Sequence, residues 1–290
     1  MPSRLGPLVL TLLVIVLPAS VANAQSSMAN EKYARLVPAA NGGVPLVDFH
    51  THLNGGLTID EVLAHTRSTG IVHGVAPNCG QGFPITTDEG IDEFLREMKG
   101  KPVFLGMQAE GREWVKLFSQ EAVARFDYVF TDAMTFTDQN GKRMRLWIND
   151  EVDVPDREAF MEMYVAKIVG VISQEPIDIY VNPTFLPEVI AKDYDRLWTK
   201  ARMERVIDAA AAAGVAIEIN ARYRLPSRAY IRLAKAKGVK FAFGTNNIDR
   251  DLGRLDYCLE MIRECQLTAG DMFVPKPDGQ KPVQLHGLRR

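Results

Sequence analysis

The chain has 290 residues, 47% hydrophobic and 24% charged, a balance that excludes a disordered or fibrous protein and leaves ample apolar material for a core. Its 34 Lys and Arg against 36 Asp and Glu give a net charge of -2, without the basic footprint of a phosphate-backbone binder, so nucleic acid is not an expected partner.

The N-terminus reads as a secretory signal peptide over residues 1–24. Arg4 supplies a positive start, residues 8–17 form an apolar run, and Ala22-Asn23-Ala24 fits the small-x-small cleavage rule. That run rises about 15 Å as a helix, well short of the roughly 30 Å hydrocarbon core, so no permanent membrane span is expected after cleavage. The implied destination is the periplasm or the exterior. Residues 25–43 read as a leader, residues 44–270 as the folded domain, and residues 271–290, punctuated by Pro and Gly, as a tail wrapping the surface. Cys79, Cys258 and Cys265 are too few to staple a domain of this size, and are expected as packing residues.

From residue 44 onward, short apolar runs alternate with helical stretches. Residues 44–50 (VPLVDFH) precede a helix that Thr58 and Glu61 start with a capping box. Further apolar runs follow at 71–77, 102–109, 128–131, 177–181, 215–220 and 239–243, each leading into a helical segment. Seven strand-helix units with no Gly-rich phosphate loop predict a closed α/β architecture, a distorted (β/α)7 barrel resembling a TIM barrel, rather than an open doubly wound sheet. The irregular connection is 136–154, where Gln139-Asn140-Gly141-Lys142 carries a hairpin-turn signal. It reads equally as a lid and as a surface excursion.

In parallel barrels the reactive groups gather at the carboxyl ends of the strands. Here those ends carry His50 and His52, Asn78, Glu110, Asp132, Asn182, Glu218 with Asn220, and Thr245-Asn246-Asn247. His50 and His52 are two apart, so on a strand both imidazoles project to one side and can meet one cation, with Glu110 as an oxygen ligand. The competing reading is a polar barrel mouth in which neutral imidazoles hydrogen-bond Glu110 or Asp132. Asp132 is the general-base candidate, set against a carboxylate that caps its loop or pairs with an Arg. Arg222 and Arg224 follow the sixth strand, and their guanidinium forks suit an anionic small molecule, with Arg143 and Arg145 as weaker pointers; surface salt bridging is the alternative. His65 and His73 are read as packing residues.

The motifs VDFHTHL, GMQAEG, IDIYVNP, AIEINARY and VKFAFGTNN followed by DLGRL resemble, in order and spacing, the successive motifs of the polymerase and histidinol phosphatase (PHP) family. The resemblance spans residues 44–255 and implies a distorted (β/α)7 barrel that hydrolyses phosphoesters with up to three divalent metals. This sequence departs from the family pattern at four strand ends. Ala76-Pro77-Asn78 stands where the family carries Thr-Asp-His, Asp132-Ala133-Met134 where a His is usual, Asn182-Pro183 for His-Pro, and Thr245-Asn246-Asn247-Ile248 for Ser-Asp-x-His.

What the resemblance carries over is His50, His52 and Glu110, with Asn78, Asn182 and Asn246 at ligand positions. Too few charged ligands remain for a trinuclear centre. The expected cofactor is one Zn, Mn or Fe ion on His50, His52 and Glu110, completed by Asn246 or Asp132, lowering the pKa of a bound water toward ~7. The expected function is therefore an exported, PHP-like, metal-dependent hydrolase of a phosphoester or related ester or amide, with Glu110 and Asp132 catalytic and Asn78, Asn182, Asn220, Arg222 and Arg224 binding substrate. Two readings stand beside it: an inactive barrel that binds a ligand in the Asn-rich pocket, and an amidohydrolase-type barrel, which Asn246 disfavours by standing where that class has an acid.

Overall fold

The computed structural model describes residues 43–137, 141–252 and 254–288. The signal peptide and most of the leader lie outside the described residues, as do Gln139 and Asn140 of the expected hairpin turn.

Seven parallel strands close on themselves. β1 (Val47–Thr51) pairs with β2 (Val72–Val75), which pairs with β4 (Phe104–Ala109). β4 pairs with β5 (Tyr128–Thr131), then come β8 (Ile179–Tyr180), β9 (Ala216–Asn220) and β10 (Phe241–Gly244), which returns to β1. The two-residue β3 (Asn78–Cys79) continues the line of β2 past Ala76-Pro77 and also pairs with β4. The chain is thus a (β/α)7 barrel, with no open edge along the main sheet. β6 (Thr135–Thr137) and β7 (Arg143–Arg145) form a separate antiparallel hairpin in the irregular connection.

The helices lie between the strands in sequence. α1 (Ile59–Thr69) starts at Thr58, whose hydroxyl accepts from the Glu61 amide while Glu61 reaches back to the Thr58 backbone; Gly70, at φ 77°, ends it. α2 (Asp88–Glu97), α3 (Trp114–Leu117) and α4 (Gln120–Val123) follow, then the long α5 (Arg157–Gln174), capped by Asp156. α6 (Glu188–Ala191), α7 (Tyr194–Leu197) and α8 (Lys200–Ala213) divide what the sequence suggests is one helical stretch; α9 (Arg228–Ala236), α10 (Asp256–Cys265) and α11 (Pro282–His286) complete the set. Among the described residues no helix is long and apolar enough to cross a membrane.

Aromatic side chains fill the barrel interior. Phe49, Phe104, Tyr128 and Phe130 are buried together, and the Tyr128 hydroxyl donates to the Phe49 carbonyl at 2.6 Å. Gly74 and Gly106 make room for that tyrosine: a Cβ at either position would stand 2.1 or 2.5 Å from its atoms. The tail departs from the surface wrap that its composition suggests. The Phe273 amide donates to the Phe241 carbonyl at 2.8 Å, and its ring packs edge-on against Phe49 at 5.3 Å, so residue 273 closes the amino end of the barrel. Cys79, Cys258 and Cys265 are buried free thiols, and burial raises the pKa of each.

Candidate active site at the carboxyl end of the barrel

The strand ends converge on a cavity of about 440 Å³ lined by His52, Asn78, Gln108, Glu110, Asp132, Asn182, Asn246 and Arg222, with Phe83, Trp147, Phe185 and Tyr223 toward its rim. Leu146, Trp147 and Asn149 bring the irregular connection into this wall, so the excursion after β5 shapes the site.

β1 presents His50 and His52 on one side, their ring centroids 5.0 Å apart. Each ring is oriented through Nδ1. His50 Nδ1 donates to Glu218 Oε1 on β9 at 2.6 Å, and His52 Nδ1 donates to the Ala76 carbonyl at 2.7 Å. With Nδ1 taken, each ring has Nε2 for a further partner; His52 lines the cavity, whereas His50 lies behind the lining. Gly244 is what lets Glu218 reach across, since a Cβ there would stand 2.0 Å from Glu218 Oε1 and 2.7 Å from His50 Cβ. Burial pulls His50 toward its neutral form, but the Glu218 carboxylate, helped by Asp48 and Gln108, offsets this and holds the pKa above the ordinary imidazole value. His52 has no such partner; burial and the neighbouring His50 push it down to about 3, so it is neutral.

The residue that meets the inward face of His50 is Gln108, not Glu110. His50 Nε2 lies 3.1 Å from Gln108 Oε1, while Gln108 Nε2 donates to Glu110 Oε1 at 3.0 Å. Gln108 and Glu110 lie two apart near the end of β4 and share a side, so the amide stands between the imidazoles and the acid. The alternation in GMQAEG is the sequence signal for this: Gln108 and Glu110 fall on one face of the strand end. Asn78 also donates to Glu110 Oε1, at 2.9 Å. Burial and the nearby Asp132 raise Glu110 to about 8.

Asp132 is buried, and burial raises its pKa despite two donors: the Met134 amide at 2.8 Å and Asn182 Nδ2 at 2.9 Å. With its pKa raised to about 8, Glu110 keeps its proton at neutral pH, and the charge of Asp132 is one cause of that rise. Asn182 and Asn246 stand at φ 50° and 47°, a left-handed conformation that Asn tolerates better than most residues. That backbone need is a second reason for asparagine at these two positions.

Asn220 was expected at the binding surface, but its side chain is fully buried, donating to Glu218 Oε2 and Asn182 Oδ1 at 3.0 Å each. It supports the site from below. Arg222 does line the cavity, its Nη1 donating to the Asn246 carbonyl at 3.2 Å and its guanidinium 4.9 Å from the Tyr223 ring centroid. Arg224 turns away, pairing with Glu260 at 2.7 Å and lying over Tyr257. Arg143 bonds the Gln81 carbonyl at 3.0 Å and Arg145 pairs with Glu151, so neither guanidinium is presented to the cavity. His73 is buried between Thr51 and His65, at 3.0 Å from each.

Among the described residues, no three His, Cys, Asp or Glu side chains converge as a ready metal cluster. The donors do fit a single ion: two imidazole Nε2 atoms fixed from behind by Glu218 and a carbonyl, with the Gln108 oxygen beside them. Hydrogen-bond acceptors behind Nδ1 are the usual means of aiming a metal-binding histidine. They do not fit a centre of two or three ions, because Asn78, Asn182 and Gln108 direct N–H groups at the carboxylates that such ions would need.

No protein-family model and no curated protein matches the sequence. Among solved structures, the chain is similar to a histidinol phosphate phosphatase from Lactococcus lactis, complexed with zinc, L-histidinol and phosphate: 12% identity, TM-score 0.54, covering 80% of this chain and 100% of that one. A citrate synthase variant aligns at 12% identity and TM-score 0.35, covering 73% of this chain and 90% of its own. At this level of identity the phosphatase shares the fold, a PHP-like barrel.

Proposed function

We propose that this chain is a PHP-like hydrolase of a small polar molecule, acting in the cavity at the carboxyl end of the barrel with a reduced, single-ion site. The observation that carries this is the pair of imidazoles fixed through their Nδ1 contacts, beside a Glu110 raised to about 8 and a second buried carboxyl, Asp132. His50, His52 and Gln108 Oε1 would hold one Zn, Mn or Fe ion, which supplies Lewis acidity for polarising a substrate oxygen and acidifying water. Glu110 is assigned to donate a proton to the leaving group and Asp132 to orient or deprotonate the attacking water. Asn78, Asn182 and Asn246 offer amide groups to the substrate, and Arg222 meets an anionic substituent, a phosphoester being the first candidate. Residues 1–24 support export, so the substrate is sought outside the cytoplasm.

A second reading rests on the same amides. Because Asn78, Gln108 and Asn182 already donate to Glu110 and Asp132, the cavity also suits retention of a ligand without turnover. A screen of phosphomonoesters, carboxylic esters and amides with added Zn or Mn separates the two. Turnover that Glu110→Gln and Asp132→Asn each reduce by about 100-fold or more supports the hydrolase. Saturable binding without turnover by the metal-supplemented wild type favours the binding barrel.

A further inference from the structure

The hydrogen bonds around the main cavity leave unpaired atoms along one side of it. Asn246, Asn54 and Asn78 follow β10, β1 and β2, which are neighbours in the barrel, and all three are half-buried in the cavity wall. Each amide is turned so that its nitrogen meets the protein: Asn246 Nδ2 donates to Asn182 Oδ1 at 3.4 Å, Asn54 Nδ2 to the Asn247 carbonyl at 3.2 Å and Asn78 Nδ2 to Glu110 Oε1 at 2.9 Å. Each Oδ1 is left without a donor among the described residues. The wall that follows β5, β8 and β9 is aromatic instead. There Trp147, Phe185 and Tyr223 line the cavity, with Phe185 and Tyr223 packed edge-on at 5.0 Å. Trp147 is 39% exposed, whereas Trp114 and Trp198 are sealed in the core. An open aromatic face beside a few placed polar atoms is how binding cavities seat and orient a ligand.

The two walls select the ligand class. Free carbonyl oxygens call for a ligand rich in hydrogen-bond donors, and the indole calls for one with an apolar face. The carbonyl wall is uncharged, because the adjoining Glu110 keeps its proton at neutral pH. Asp132 and Glu188 lie on the aromatic side, where Asn182 and Asn149 donate to them, and Arg222 stands with them. Uncharged donors are therefore favoured over an ammonium group. A sugar ring supplies both features, since its hydroxyls each donate and accept and its C–H face is apolar. We propose that this cavity holds a pyranose ring, whose hydroxyls donate to Oδ1 of Asn54, Asn78 and Asn246 and accept from Arg222 while its C–H face lies on Trp147. The cavity, about 440 Å³, is of the size that holds a small ligand. The inference rests on the hydrolase reading only in making the ring part of a substrate rather than of a retained ligand.

The test is calorimetric titration of the full chain, freed of metal with EDTA, with the methyl glycosides of glucose, galactose, mannose and N-acetylglucosamine. Glycerol, cyclohexanol and ethanolamine are the comparison probes: hydroxyls without a ring, a ring with one hydroxyl, and an ammonium donor. At least one glycoside should bind saturably, about tenfold or more tighter than every comparison probe. It should also protect tryptophan fluorescence from acrylamide, which reaches Trp147 but not the buried Trp114 and Trp198. Trp147→Ala should weaken that binding about tenfold or more, and Trp147→Phe much less. Asn246→Gly suits the left-handed backbone at φ 47° and removes the carbonyl, so it should weaken binding about tenfold in a folded protein. Leu285→Ala, at an exposed position on the tail helix α11, should leave it unchanged. The proposal is overturned if no glycoside binds, if a comparison probe binds as tightly, or if the folded Trp147→Ala and Asn246→Gly variants bind like wild type. Glycoside binding by a metal-supplemented chain that turns over no ester or amide would remove the hydrolase and keep the ring; turnover without glycoside binding would remove the ring and keep the hydrolase.

Discussion

His50 Nδ1 and Glu218 Oε1 lie 2.6 Å apart, 168 residues apart in the chain, and the contact exists because Gly244 leaves the space between them. Adding a methyl group there by Gly244→Ala forces Glu218 or β1 to move. The expected cost is about 1–3 kcal/mol of stability from overpacking, measured by chemical denaturation. An unchanged midpoint would mean that Glu218 has another way to reach His50.

Glu218 acts on chemistry through His50. Glu218→Gln keeps an acceptor for the ring but removes the charge, so metal affinity should fall about 10- to 100-fold, as is usual for partners behind a metal-binding histidine. His50 should also titrate at lower pH in the metal-free variant, which NMR of the imidazole would report. If affinity falls while the His50 titration stays put, the role of Glu218 is structural only.

The barrel itself was legible in the sequence because each strand is an apolar run bounded by turn residues, and the Thr58-Glu61 cap reads directly. The site was legible in part. Period-two spacing placed His50 and His52 together, yet nothing local revealed that Gln108 intervenes before Glu110 or that Asn220 points beneath the cavity, since both depend on contacts between distant strands. Arg224 was misplaced for a similar reason: its partner Glu260 belongs to a helix 36 residues later. The masking effect of Pro and Gly in the tail hid Phe273, whose role depends on where the barrel floor lies.

Phe273 supplies the next prediction. Its ring, 7% exposed, sits on Phe49 and Tyr128 at the closed end of the barrel. Phe273→Ala should cost about 3–5 kcal/mol. Truncation before residue 272 should be at least as damaging; a truncated chain with wild-type stability would show that the tail is dispensable.

Asp178 makes stability depend on pH away from the site. Burial raises its carboxyl to about 7, partly countered by the Val129 amide and by Lys281 and Lys276. An unfolded Asp titrates near 3.9, so between roughly pH 4 and pH 7 the native state holds a proton that the unfolded chain has released. Stability from this residue is therefore full at low pH and declines as pH rises through that window. Asp178→Asn retains an acceptor for the Val129 N–H, which lies 2.9 Å away, and removes the ionisation. The variant should melt above wild type at pH 8, by about 1–3 kcal/mol, with the gap closing toward pH 4. A gap independent of pH would refute the assignment.

Metal content of the purified chain, loaded with Zn and freed of excess, tests the central claim most directly when set beside the His50→Ala, His52→Ala double variant. The imidazole site predicts about one equivalent bound by the wild type and none above background in the folded double variant. Wild type and variant holding the same amount, or neither holding any, would contradict the single-ion hydrolase and leave a barrel that binds its ligand through amides alone.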